Sequence, residues 1–128
     1  MITQQFLHAL ATRDLDLITG LFAENVDWYI PGDQHVAPWL GKRNTKAEIR
    51  AFYELLWSQT EPISANIDHI FTDNNRVVIA GDFATKMLKT GIVCESLFFI
   101  HFTVEDGLIT RYRLLEDSLA VVQALVLK

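Results

Sequence analysis

The sequence predicts an α+β domain: three N-terminal helices packed on the concave face of a strongly curved sheet, mixed or antiparallel. Three observations carry this. Apolar residues recur at spacings of three and four over much of the first sixty positions. The period changes to two after Pro62, and short turn sequences divide the rest of the chain into consecutive hairpins. Helices first and hairpins after make an α+β arrangement, the helices covering one sheet face. The 128 residues suit a single domain over 1–128, long enough to bury about two thirds of the surface that the unfolded chain exposes.

Ile2, Phe6, Ala9 and Leu10 mark one face of a first helix over 2–12. Asp14 then reads as the N-cap of a short second helix carrying Leu17, Ile18, Leu21 and Phe22. Val26-Asp27-Trp28-Tyr29-Ile30 alternates, is rich in β-formers and is stopped by Pro31-Gly32, so it reads as a strand. Residues 31–44 have no periodicity and read as a loop. Thr45-Lys46-Ala47-Glu48 is a capping box, and the helix behind it shows an apolar stripe of Ile49, Phe52, Tyr53, Leu56 and Trp57, with Pro62 marking a break beyond its end. Strands are expected near 63–71, 76–87, 92–104 and 108–116. The turns between them are Asp73-Asn74-Asn75, Lys89-Thr90-Gly91 and Glu105-Asp106-Gly107. Asp117 or Ser118 caps a last helix holding Leu119, Val122, Leu125 and Val126.

Composition excludes several function classes. The formal charge is −5, and no basic cluster is longer than Lys42-Arg43, which argues against a nucleic-acid partner. No window approaches the length of apolar run that a membrane helix needs, and the first residues lack a signal-peptide pattern. Cys94 is the sole cysteine, so a reducing, cytoplasmic location is expected, with no intramolecular disulfide. His8, His35, His69 and His101 are scattered without ligand spacing, and no phosphate loop or nucleophile elbow occurs, so neither a metal nor a cofactor is expected. Half of the residues are hydrophobic, a surplus that a pocket or a subunit interface would absorb.

The strand Glu95–Phe102 is apolar on both sides. Phe98, Ile100 and Phe102 point one way, and Leu97 and Phe99 the other. Helices cover only one face, so a homodimer through Leu97, Phe99 and His101 on the outer face is expected.

Several stretches then make a recognisable series. They are Asp14-Leu15-Asp16, Leu21-Phe22-Ala23-Glu24-Asn25-Val26-Asp27-Trp28, Pro31-Gly32, Gly41, Phe52-Tyr53, Gly91, His101-Phe102-Thr103-Val104-Glu105-Asp106-Gly107-Leu108-Ile109 and Arg111-Tyr112-Arg113 with Asp117. In their order and spacing the chain resembles the nuclear transport factor 2-like superfamily, of cystatin-like fold, in its SnoaL-like and ketosteroid-isomerase-like branch. The resemblance covers nearly the whole chain. It implies a cone whose closed end is apolar and whose mouth admits a small apolar molecule.

The residues at the family's catalytic positions disfavour three reactions known in that branch. Ketosteroid isomerases place a base before the proline where Ile30 stands here. Their oxyanion donors fall at Phe6 and Ile100. The acid of SnoaL-type cyclases also falls near Ile100, and that of limonene-epoxide-hydrolase-like relatives near Leu114. None of these side chains can take a proton or hold an oxyanion.

Strand parity gives the inward sets. They are Val26, Trp28 and Ile30; Phe83, Thr85 and Met87; Ser96, Phe98 and Ile100; and Tyr112, Leu114 and Glu116. The expected ligand-binding lining is therefore Trp28, Ile30, Phe83, Met87, Phe98, Ile100 and Leu114, completed by Phe6, Phe52 and Trp39. The same side chains could simply fill a core. Glu116 and Tyr112 are the candidate catalytic groups, since a carboxyl in an apolar cavity has a raised pKa and a tyrosine can donate to an oxyanion. Glu116 also reads as a solvated strand-end acid, Asp117 as a helix cap, His101 as an interface residue, His35 as an exposed loop residue and Cys94 as a small core residue. Three classes of function stay open: an isomerase, cyclase or hydratase of unknown substrate, a non-catalytic carrier or sensor, and an interaction domain.

Overall fold

The computed structural model describes residues 1–126. In chain order the elements are α1 (Ile2–Thr12), α2 (Leu15–Gly20), β1 (Phe22–Ile30), β2 (Gly41–Thr45), α3 (Lys46–Gln59), β3 (Thr60–Asp73), β4 (Arg76–Met87), β5 (Val93–Glu105), β6 (Leu108–Glu116) and α4 (Ser118–Val126).

Local chemistry sets the boundaries. Asp14 accepts the Leu17 N–H at 3.1 Å and starts α2. The capping box of α3 is complete, the Glu48 N–H donating to Thr45 Oγ1 at 3.2 Å and the Thr45 N–H to Glu48 Oε1 at 3.1 Å. Asp117 accepts the Ala120 N–H at 3.0 Å and caps α4. The tight turns use residues that tolerate positive φ: Asn74 at 55° in one, Asp106 at 51° and Gly107 at 79° in the other.

The six strands form one open sheet in the order β2-β1-β6-β5-β4-β3. Every pairing is antiparallel except β1 with β6, which is parallel, so the sheet is mixed. Helices α1 and α3 lie on its inner face. The deepest layer holds Phe6, Phe22, Trp28, Ile79, Phe102 and Ile109, each at most 1% exposed.

The structure departs from the sequence reading at four places. The expected loop 31–44 contains the start of β2, whose Gly41-Lys42-Arg43-Asn44-Thr45 has no apolar alternation and is a strand only because it pairs with β1. Strand β1 begins at Phe22, earlier than Val26. Strand β3 begins at Thr60 and runs through Pro62, which an edge strand tolerates because that N–H has no ladder partner to lose. Helix α4 buries Val121, Ala124 and Leu125, while Leu119 and Val126 are exposed.

Strand β3 is unusual. From Glu61 to Asp73 every residue is exposed, including Ile63, Ile67, Ile70 and Phe71. It pairs with β4 along its whole length, but its register slips at Ile63 and again at Asp68. Its inner face extends beyond the helices that cover the rest of the sheet, and that overhang opens the interior.

Candidate ligand cavity

A cavity of about 750 Å³ lies between the helices and the inner sheet face, a volume usual for small-molecule sites. Leu7 and Leu10 of α1 and Phe52, Tyr53 and Leu56 of α3 form the helical wall. Phe83 and Met87, Phe98 and Ile100, and Tyr112, Leu114 and Glu116 form the sheet wall. Pro62, Ile63, Ala65 and Ile67 of β3 border it, with Arg13, Thr60, Trp39 and Val121.

Of the ten residues expected to bind a ligand, Trp39, Phe52, Phe83, Met87, Phe98, Ile100 and Leu114 line this space. Phe6, Trp28 and Ile30 do not; they are core residues. The Phe6 ring packs 5.4 Å from Phe102 and 6.0 Å from Tyr112. Trp28 is stacked on Tyr112 at 4.2 Å and 18°, and Phe52, Tyr53 and Phe22 close around it at 4.9, 5.9 and 5.6 Å. Ile30 is 1% exposed at the end of β1 without reaching the cavity. Strand parity selects a face but not a position along it, and α3 already fills the space over β1.

Glu116 lies at the end of β6, opposite Phe98 on β5. Its carboxyl has no ion-pair or hydrogen-bond partner among the described residues. Burial pushes its pKa up to about 7, with no cation to oppose the shift. Asp117 next to it is exposed, so the chain turns from the cavity to solvent between these two acids. The Asp117 N–H donates to Ser96 Oγ at 2.8 Å, and the Ser96 hydroxyl donates to the Leu97 carbonyl at 2.6 Å. Those bonds fix the end of β6 against β5 and hold Glu116 where it is.

Tyr112 is 3% exposed, and burial raises its hydroxyl pKa far above the ordinary value. Tyr53 is 2% exposed, and its hydroxyl pKa is raised by burial and by the neighbouring Tyr112. Both phenols therefore stay protonated as donors. The Tyr53 Oη has no partner within hydrogen-bond distance; the Tyr112 oxygen perturbs it from farther away. Sequence reasoning placed Tyr53 in the apolar stripe of α3 and in a stretch that carries the resemblance, without a role in the site, and it did not find Arg13. The signal for Arg13 was an arginine between the end of one helix and the cap of the next, where glycine is the usual residue.

The other singled-out residues take bland roles. Cys94 is 2% exposed, and burial, with Glu116, Asp117 and Glu95 adding, pushes its thiol up to about 11, so it is not a nucleophile at neutral pH. His35 is exposed and outside the cavity. His101 sits on the outer sheet face, its pKa lowered by burial first and then by Arg111, Arg76 and Arg113. Among the described residues no group of His, Cys, Asp and Glu is placed to hold a metal, and no helix is long and apolar enough to cross a membrane.

The family profile described as a SnoaL-like domain matches residues 3–112. Among curated proteins none matches the sequence. An NTF2-like protein from Burkholderia xenovorans superposes with a TM-score of 0.85 at 22% identity, over 97% of this chain and 92% of that one. TerC, co-crystallised with polyporic acid, gives 0.83 at 19% identity, over 97% and 95%. An LEH-like epoxide hydrolase from M. tuberculosis gives 0.75 at 17% identity, over 98% and 86%. At these identities the likeness shows a shared fold.

Proposed function

Because the chain belongs to the SnoaL-like domain family, we propose that its cavity binds a small apolar molecule and that Glu116 exchanges a proton with it, in a reaction of the isomerisation, cyclisation or hydration type. One observation carries this reading: a lone carboxyl, raised by burial to about 7, lines a mostly apolar and aromatic space. Such a group is half protonated near neutral pH, where it can both give and take a proton. Tyr112 supplies a protonated donor on the same strand face, suited to an oxygen that gains charge as a neighbouring carbon loses its proton. The co-crystallisation of TerC with polyporic acid supports the view that this fold takes a small organic ligand.

A second reading, a carrier without chemistry, is favoured by Ile100 and Leu114, which are apolar where enzymes of similar fold carry acids. One experiment separates the two. Carbon-detected NMR of the glutamate carboxyls follows Glu116, and deuterium exchange into a cyclic enone follows proton transfer. The catalytic reading expects a carboxyl titrating near pH 7 that disappears in Glu116→Gln, and enone exchange that disappears with it. A Glu116 midpoint in the ordinary carboxylate range, or exchange that survives the substitution, rejects it in favour of the carrier.

We also propose that the outer sheet face pairs with that of a second copy. Leu97, Phe99 and Leu115 are 65%, 51% and 54% exposed there. They lie side by side, Phe99 opposite Leu115 on β6 and Ala80 on β4. Glu95 and Asp82 flank one end of this patch, and His101, Arg111 and Arg113 the other. A two-fold axis reversing the strand direction would set acids against cations. Leu97→Glu is expected to convert a dimer to a monomer in light scattering coupled to gel filtration; a wild-type monomer would overturn the pairing. The buried lone thiol fits the cytoplasmic location expected from the sequence.

A further inference from the structure

We infer that the ligand carries an anionic group, a carboxylate or its equivalent, which docks on Arg13 at the edge of the cavity. The inference rests on the ligand-binding reading above and adds the ligand's charge. Among the lining residues Arg13 is the only cation, as Glu116 is the only acid. No carboxylate of the described residues stands within ion-pair distance of the Arg13 guanidinium. Three hydrogen bonds hold that guanidinium: Nη1 donates to the carbonyls of Trp57 and Thr60 at 3.1 and 2.9 Å, and Nη2 to the Thr60 hydroxyl at 3.0 Å. These bonds orient the group and leave further donors free. Their acceptors are neutral oxygens at the C-terminal end of α3, whose dipole favours a cation, and no full negative charge balances the guanidinium. Partial burial lowers the Arg13 pKa, as expected of a cation that has lost water without gaining an anion.

The backbone gives a second, independent observation. Arg13 closes α1 in the left-handed region, at φ 52° and ψ 46°, where glycine would sit without strain and a side chain does not. The strained position holds a long, fixed cation that borders the cavity. Burial shifts both groups, and the two do not form an ion pair with each other. An apolar acid held at its anionic end by Arg13 would present its body to the aromatic wall.

A pair of fluorescent probes tests this. 1-Anilinonaphthalene-8-sulfonate and N-phenyl-1-naphthylamine share one ring system and differ by the sulfonate. The chain's formal charge of −5 opposes anions in general, so a preference for the sulfonate must be local. Arg13→Gln is expected to weaken the sulfonate probe about tenfold and the neutral probe hardly at all, the size of a charge-assisted hydrogen bond. Equal sulfonate affinity in both proteins overturns the inference while leaving the cavity reading intact. Failure of the neutral probe to enter the wild-type protein overturns the cavity reading and this inference with it. Should Arg13→Gln not fold, the wild type decides through salt. Sodium chloride weakening the sulfonate probe alone supports docking on a cation, and equal insensitivity of both probes rejects it.

Discussion

Replacing Glu116 with glutamine is expected to stabilise the protein by about 3 kcal/mol near pH 8 and to change it little near pH 4. The folded carboxyl titrates at about 7, above its ordinary value of 4.5, because burial disfavours the charged form. Between those two values the folded state holds a proton that the unfolded state has released. Stability therefore falls as pH rises from about 4.5 through 7 and levels off above. Glutamine has no charge to desolvate, so its curve lacks this fall. Urea denaturation of both proteins across that window measures the difference directly. Parallel curves, with a constant gap at every pH, would mean that Glu116 is solvated in the folded state. A side chain that lowers stability at neutral pH is the pattern expected of a functional group.

The second large effect is structural. Trp28→Ala should destabilise the fold by about 3–5 kcal/mol, a large share of the total for a domain of this size. The indole is 1% exposed and is the hub of an aromatic cluster drawn from three elements: Phe22 beside it on β1, Phe52 and Tyr53 above on α3, and Tyr112 stacked on it from β6. Removing it opens a void that no single neighbour can fill. The Tyr112 ring then loses its stacking partner, and the cavity loses a fixed donor. Trp28→Phe should recover part of the stability without restoring the stacking area. A loss below about 1 kcal/mol for the alanine variant would show that the cluster relaxes into the void.

The helices and hairpins were legible because their signals are local. A capping box at Thr45 and Glu48, an Asp-Gly turn at Asp106-Gly107 and a period-two run over Glu95–Phe102 each determine structure within a few residues. Strand β2 was hidden because its five residues are polar and glycine-led; only pairing to β1 makes them extended. The parallel contact of β1 with β6 joins residues more than eighty positions apart, and no turn sequence reports it. The lining shows the same division. Parity identified Phe83, Phe98, Ile100, Leu114 and Glu116, whereas Trp28 lies beneath α3 and Ile30 is buried beside β2, both outside the cavity. Tyr53 and Arg13 were missed because one looked like an ordinary stripe residue and the other like a helix end. Their significance lies in partners that they lack.

Strand β3 has a consequence for solubility. Its outer edge carries unpaired amide and carbonyl groups beside Ile63, Ile67, Ile70 and Phe71, the kind of edge on which cross-β fibrils grow. Pro62 and the two register slips at Ile63 and Asp68 break that edge into pieces too short and too bent for another chain to zip along. Backbone geometry thereby works against fibre growth, and Ile63 and Ile67 stay free to border the cavity.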